Sequence, residues 1–187
     1  MRINPGIIER LSISGARYMK QNGADPSISE GILRFSLQLW ISTVFIFALT
    51  AATGLLLDKF PESILALTVL GALRYFSGGW HFRNMDACVV FTVTAATAIP
   101  FVPRLSDDWL IVLNCISLLL VWRLAPTGHG QKFSTDKQKR VFKWISVTIV
   151  TISFAALHQV AVISMLFQSL TLITWKGGMM KWLRKNL

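Results

Sequence analysis

From Phe35 to Leu57 the chain runs for 23 residues without an Asp, Glu, Lys or Arg. As an α-helix rising about 1.5 Å per residue, that run can cross a hydrocarbon core about 30 Å thick. Helices buried in soluble proteins rarely stay uncharged for so long, because one face normally meets water. A soluble all-α core is the competing reading, and composition weighs against it. Of the 187 residues, 53% are hydrophobic and 15% charged, whereas a soluble domain carries about 25% charged residues. The expected architecture is an all-α polytopic membrane protein, one membrane domain over residues 1–187.

Hydropathy gives about six spans: Phe35–Leu57, Glu62–Tyr75, Asp86–Val102, Trp109–Leu124, Val141–Leu157 and Val160–Trp175. Several fall short of the roughly 17–25 residues of a perpendicular span, which local thinning of the bilayer accommodates. A four-span alternative lets the second and third segments only dip into the membrane. Both versions leave the termini on one side, and the cations can then be counted by side. Seventeen of the 19 Lys and Arg residues fall on the side of the termini; only Lys59 and Arg104 fall on the other. The positive-inside rule puts both termini in the cytoplasm. The net charge of +10 is thus mostly topological. No basic stripe interleaved with aromatics points to nucleic acid.

Before the first span, residues 1–34 form a polar, basic segment with Arg2, Arg10, Arg17, Lys20 and Arg34, unlike a cleavable signal peptide. Ile7, Ile8, Leu11 and Met19 alternate loosely with cations, as in a helix lying on the inner leaflet. The break Asn22–Pro26 follows, and Asp25 or Ser27 is expected to cap the first span. A basic cytoplasmic loop is expected over 125–140 and a basic tail over 176–187.

Chemistry concentrates in Arg74–Cys88, within the bundle of residues 35–175. Arg74 ends an apolar run, Gly78-Gly79 breaks the helix, His81 follows, and Cys88 comes seven residues later. On one straight helix seven residues rise about 10 Å, too far for the contact of about 3 Å that a base and a thiol need. The pair works only if His81 lies outside the helix and folds back. Asn84 is a good N-cap, with Asp86 in the first turn and Cys88 near the helix start, where the dipole favours an anion. His81 can then act as base and Cys88 as nucleophile, and Arg74 can bind a carboxylate or hold the loop. Ser77 is a possible hydrogen-bond donor. The five residues His81, Cys88, Cys115, His129 and His158 show no paired ligand spacing, so neither a metal nor any other cofactor is expected. Two cysteines in apolar surroundings do not make a disulfide framework.

Arg74, Gly78-Gly79-Trp80-His81 and Cys88 at this spacing resemble the accessory gene regulator B family of bacterial membrane cysteine peptidases. The amphipathic start, the spans and the basic stretch through Lys137, Lys139 and Arg140 are similar as well. The resemblance implies His81 as base, Cys88 as nucleophile, and Arg74 and Gly79 in support. It implies a quorum-sensing propeptide as partner, with an amphipathic leader and an acidic tail. It further implies a thiolactone or lactone product, a homodimer and a place in the bacterial cell membrane. Lys137, Lys139, Arg140 and Lys143 are expected to attract the acidic tail or anionic lipid. Phe82 and Gly128-His129-Gly130 depart from the family pattern. A non-enzymatic membrane protein, such as a transporter component or a holin-like factor, would explain the spans equally well, and it makes His81 and Cys88 replaceable. A metal-dependent membrane enzyme would be sensitive to chelators.

Overall fold

The computed structural model describes residues 6–23, 25, 27–79, 84–127 and 135–173. Among them are seven α-helices and no strand. The helices are α1 (Ile7–Gln21), α2 (Glu30–Leu56), α3 (Phe60–Ser77), α4 (Met85–Ala98), α5 (Asp107–Leu124), α6 (Asp136–Ile152) and α7 (Gln159–Ile173).

Helix ends follow local chemistry rather than the ends of the apolar runs. α2 starts five residues before the uncharged stretch, at Glu30. Its cap is Ser29, whose Oγ accepts from the Ile32 N–H at 3.4 Å. Neither expected cap serves. Asp25 is occupied in a turn, accepting from the Ser27 N–H at 2.8 Å. That N–H, and then the Ser27 hydroxyl, hold the Asp25 carboxyl below its ordinary value. α3 is longer than the expected Glu62–Tyr75, because Pro61 suits its first turn and Gly78 ends it. α4 gives way at Pro100 to a 3-10 turn, Ile99–Phe101. α6 begins at Asp136, so Lys137, Lys139 and Arg140 stand in its first turns rather than in a loop as expected. α6 ends at Ile152, five residues short of the expected Leu157. Trp175, the expected end of the last span, lies outside the described residues.

Packing is inverted relative to a soluble bundle. Ser12, Ser63, Ser77, Asn114, Ser117, Ser146, Ser164 and Ser169 are fully buried, while Phe35, Leu39, Trp40 and Leu56 are exposed. Four of these hydroxyls are satisfied by their own helix: Ser117, Ser146, Ser164 and Ser169 each donate to the carbonyl four residues back. Small residues that bond internally let helices approach closely, and exposed large side chains suit an apolar solvent. α2 is long and apolar enough to cross a membrane, with a mean hydropathy of 2.0 over its best 18 residues, of which 17% are buried. Two apolar clusters hold the rest. Leu73, Val121, Val150, Met165 and Leu172 join α3, α5, α6 and α7. Ala66, Leu70, Ala96, Ile99 and Val160 join α3 and α4 to the start of α7. α3 belongs to both, so its C-terminal end is fixed from several sides.

Candidate active site

The site forms where α3 ends and α4 begins. Gly78 terminates α3 at φ 74°, ψ −147°, and its N–H closes on the Arg74 carbonyl at 2.9 Å. Gly79 follows at φ 139°. Positive φ favours glycine at both positions, and at Gly78 the neighbouring backbone also leaves no room for a side chain. A Cβ on Gly78 would stand 2.5 Å from the Thr127 carbonyl oxygen, and one on Gly79 would stand 2.7 Å from Thr171 Oγ1.

Remote segments hold this break. The Thr127 N–H and hydroxyl both donate to the Ser77 carbonyl, at 3.0 and 3.3 Å. Gln168 on α7, 2% exposed, donates from Nε2 to the Gly78 carbonyl at 2.8 Å. The buried Ser77 hydroxyl donates to the same carbonyl at 3.3 Å, so among the described residues Ser77 acts on the backbone of the break. Thr127 and Gln168 were not singled out in the sequence. The signal for Gln168 was present: an amide inside an apolar helix marks a committed polar contact.

His81 lies in residues 80–83, outside the described residues, as does His129. The far side of the junction is described. Asn84 is extended at φ −102°, ψ 125°, and its Oδ1 accepts from the Asp86 N–H at 3.0 Å, the expected N-cap. The Cys88 N–H reaches the Asn84 carbonyl at 3.3 Å, which puts the thiol at the end of the first turn of α4. Cys88 is 7% exposed, and Arg74 Nη2 stands 3.8 Å from its Sγ. The guanidinium can therefore meet negative charge on sulfur or on a group bound to it. Beside them Leu70, Arg74, Phe91, Thr92, Phe167 and Gln168 line a cavity of about 30 Å³, room for a water and little more.

Asp86 lies in the first turn of α4, as expected, and its carboxylate caps α1. Its two carboxylate oxygens accept from the Ile7 and Ile8 N–H groups at 2.7 and 3.1 Å. Lys137, Lys139 and Arg140 are exposed, and Lys143 is half-buried. Lys139 pairs with Asp136 at 3.2 Å, and Lys143 Nζ lies 5.2 Å from the centre of the Trp122 ring. The Phe142 and Phe76 rings meet at 5.5 Å, so the basic start of α6 lies at the same end of the bundle as the Gly78 break. His158 lies at the opposite end, where α7 begins. Among the described residues no group of three or more His, Cys, Asp or Glu could hold a metal ion.

The family model for accessory gene regulator B matches residues 13–176. A putative AgrB-like protein of Halalkalibacterium halodurans is 25% identical over 178 residues, covering 89% of this chain and 87% of its own length. Protein FsrB of Enterococcus faecalis is 29% identical over 100 residues, covering 51% of this chain and 41% of its own. The accessory gene regulator protein B of Staphylococcus intermedius is 24% identical over 151 residues, covering 75% and 80%. No solved structure matches the chain. With the family model matched across most of its length, the chain belongs to the accessory gene regulator B family.

Proposed function

We propose that this chain is a membrane cysteine peptidase that removes the C-terminal tail of a quorum-sensing propeptide and leads the remaining core to a cyclic product. The observation that carries the reading is the buried Cys88 in the first turn of α4, 3.8 Å from Arg74, in the helix that follows the Gly78-Gly79 break. Family membership supports the propeptide as substrate.

His81 takes the Cys88 proton, and the thiolate attacks the carbonyl at the core–tail junction. The carbon–nitrogen bond breaks, the tail leaves as an amine, and the imidazolium returns its proton to that nitrogen. The core stays on Cys88 as a thioester. An internal thiol or hydroxyl of the peptide, deprotonated by His81, attacks this thioester, closes a thiolactone or lactone and releases Cys88. Arg74 favours the negative charge that develops beside sulfur. Limited water access keeps the thioester from hydrolysis, and the enclosed surroundings of Cys88 suit that need.

In this reading α2–α7 form the spans, α1 lies at the inner leaflet, and both termini face the cytoplasm. The one-sided cations, the exposed apolar side chains and the internally bonded hydroxyls support it. Helices of 15–18 residues, α3 to α7 with the turn that extends α4, reach about 23–27 Å. They therefore need a locally thinned bilayer. A homodimer is part of the same reading. The test is to trap a hydroxylamine-sensitive thioester between Cys88 and a peptide with an amphipathic leader, a Cys or Ser core and an acidic tail. A complete cleavage reaction by Cys88→Ala at normal membrane levels would refute the reading.

A further inference from the structure

The N-terminus of α1 carries an unusual cap. Gly6 stands at the N-cap position and has no side chain to offer the exposed N–H groups of the first turn. They are served instead from 79 residues away, by Asp86 Oδ2 on the Ile7 N–H at 2.7 Å and Asp86 Oδ1 on the Ile8 N–H at 3.1 Å. A Cβ at position 6 would stand 2.4 Å from Oδ2 and 2.8 Å from Cγ, so any other residue there must push the carboxylate aside. A carboxylate held by two backbone N–H groups at a helix start is strongly favoured in place.

Asp86 sits two residues before Cys88, about 200° around the helix from it. The first turn of α4 is thus gripped on two sides, by α1 through Asp86 and from α3 through Arg74 near Cys88. α1 is itself seated on α2: Ile8, Ser12 and Ala16 are buried, Glu9 pairs with Arg34, and Arg17 reaches Glu30 at 3.7 Å. We infer that Asp86 is a positioning residue, which ties the start of α1 to the turn that bears Cys88 and so sets where the thiol stands. The functional consequence rests on the peptidase reading above; the clamp itself does not. Displacing a nucleophile by about 1 Å costs on the order of a hundredfold in rate, so slackening this turn reaches the chemistry without touching substrate.

The test uses the full chain in lipid vesicles with Cys115→Ala throughout, which leaves Cys88 as the sole thiol. The probes are iodoacetamide and a synthetic peptide with an amphipathic leader, a cysteine core and an acidic tail. Asp86→Ala is expected to lower kcat for tail release about tenfold or more, with KM held within about twofold. It is also expected to speed alkylation of the buried Cys88 several-fold, because the freed turn opens. Asp86→Asn keeps one acceptor oxygen and is expected to fall between. Gly6→Ala, which pushes the carboxylate away, is expected to reproduce Asp86→Ala, and the double variant to be no worse than either single one. Wild-type kcat in Asp86→Ala, or losses that multiply in the double variant, overturns the inference. If Cys88→Ala still releases the tail, the peptidase reading fails instead. Alkylation then decides the clamp alone, and an unchanged rate in Asp86→Ala refutes it.

Discussion

The chain has two cysteines, and the fold treats them in opposite ways. Cys115 lies mid-helix on α5 and is exposed, lining an apolar groove with Ile111, Val112, Ile116 and Leu119. Cys88 is buried in the first turn of α4, beside a guanidinium and next to a helix break held by Thr127 and Gln168. A thiol becomes a nucleophile where nearby charge and hydrogen-bond donors favour its thiolate. Among these apolar side chains Cys115 acts as a small hydrophobic residue. The contrast lies in what stands at each sulfur: a guanidinium beside Cys88, an apolar groove around Cys115.

The contrast breaks first at the two sulfurs. Cys88→Ala is expected to lower tail release by at least about a thousandfold, the scale at which removing a nucleophile acts. Cys115→Ala is expected to stay within about twofold of the unaltered chain. Single-turnover cleavage in vesicles measures both, and comparable losses at the two positions would erase the distinction.

Much of the Cys88 side was legible in the sequence because it is local. Gly78-Gly79 marks a break by itself, and Asn84 reads as a cap because its partner, the Asp86 N–H, lies two residues away. The long-range half was not legible. Thr127 reaches Ser77 across 50 residues, Asp86 reaches Ile7 across 79, and Gln168 reaches Gly78 across 90. No periodicity encodes such pairs, since they exist only once the helices pack. The helix starts were misjudged for a different reason. Uncharged runs mark an apolar solvent, while helix termini are set by caps such as Ser29, so charged residues like Glu30 and Arg140 continue helices beyond the apolar runs.

Arg74 sharpens the contrast next. Arg74→Gln keeps much of the volume but loses the charge directed at Cys88 Sγ. A hydrogen bond involving a charged group contributes about 1.5–3 kcal/mol, so kcat is expected to fall roughly ten- to a hundredfold. Iodoacetamide labelling of Cys88 should change with it, while labelling of Cys115 stays constant. If both thiols shift together, the substitution has loosened the bundle, and Arg74 has no special relation to Cys88.

Gln168 tests whether the break needs support from α7. Gln168→Leu puts an apolar residue of similar size in its place and removes the donor to the Gly78 carbonyl. A net hydrogen bond of about 1 kcal/mol predicts a loss of about fivefold in kcat. Gln168→Glu retains a side chain that can donate only when protonated, so its activity is expected to recover as pH falls. A flat pH ratio between Gln168→Glu and the unaltered chain would remove Gln168 from the account.

The smallest effect belongs to the basic start of α6, and it separates recruitment from chemistry. Lys137, Lys139, Arg140 and Lys143 lie on a helix whose Phe142 packs on Phe76, so they share an end with the junction. Lys139 pairs with Asp136 and Lys143 faces the Trp122 ring, both away from Cys88. Largely exposed cations act over about a Debye length, 8 Å at physiological ionic strength, which suits attraction of an acidic tail but not stabilisation at the sulfur. Replacing all four with Gln is therefore expected to raise KM about threefold at low salt, to leave kcat unchanged, and to lose its effect near 0.5 M salt. A fall in membrane insertion instead would mean that these charges serve topology. A fall in kcat at constant KM would mean that α6 reaches the thiol after all, and the line between Cys88 and its surroundings would have to be redrawn to include it.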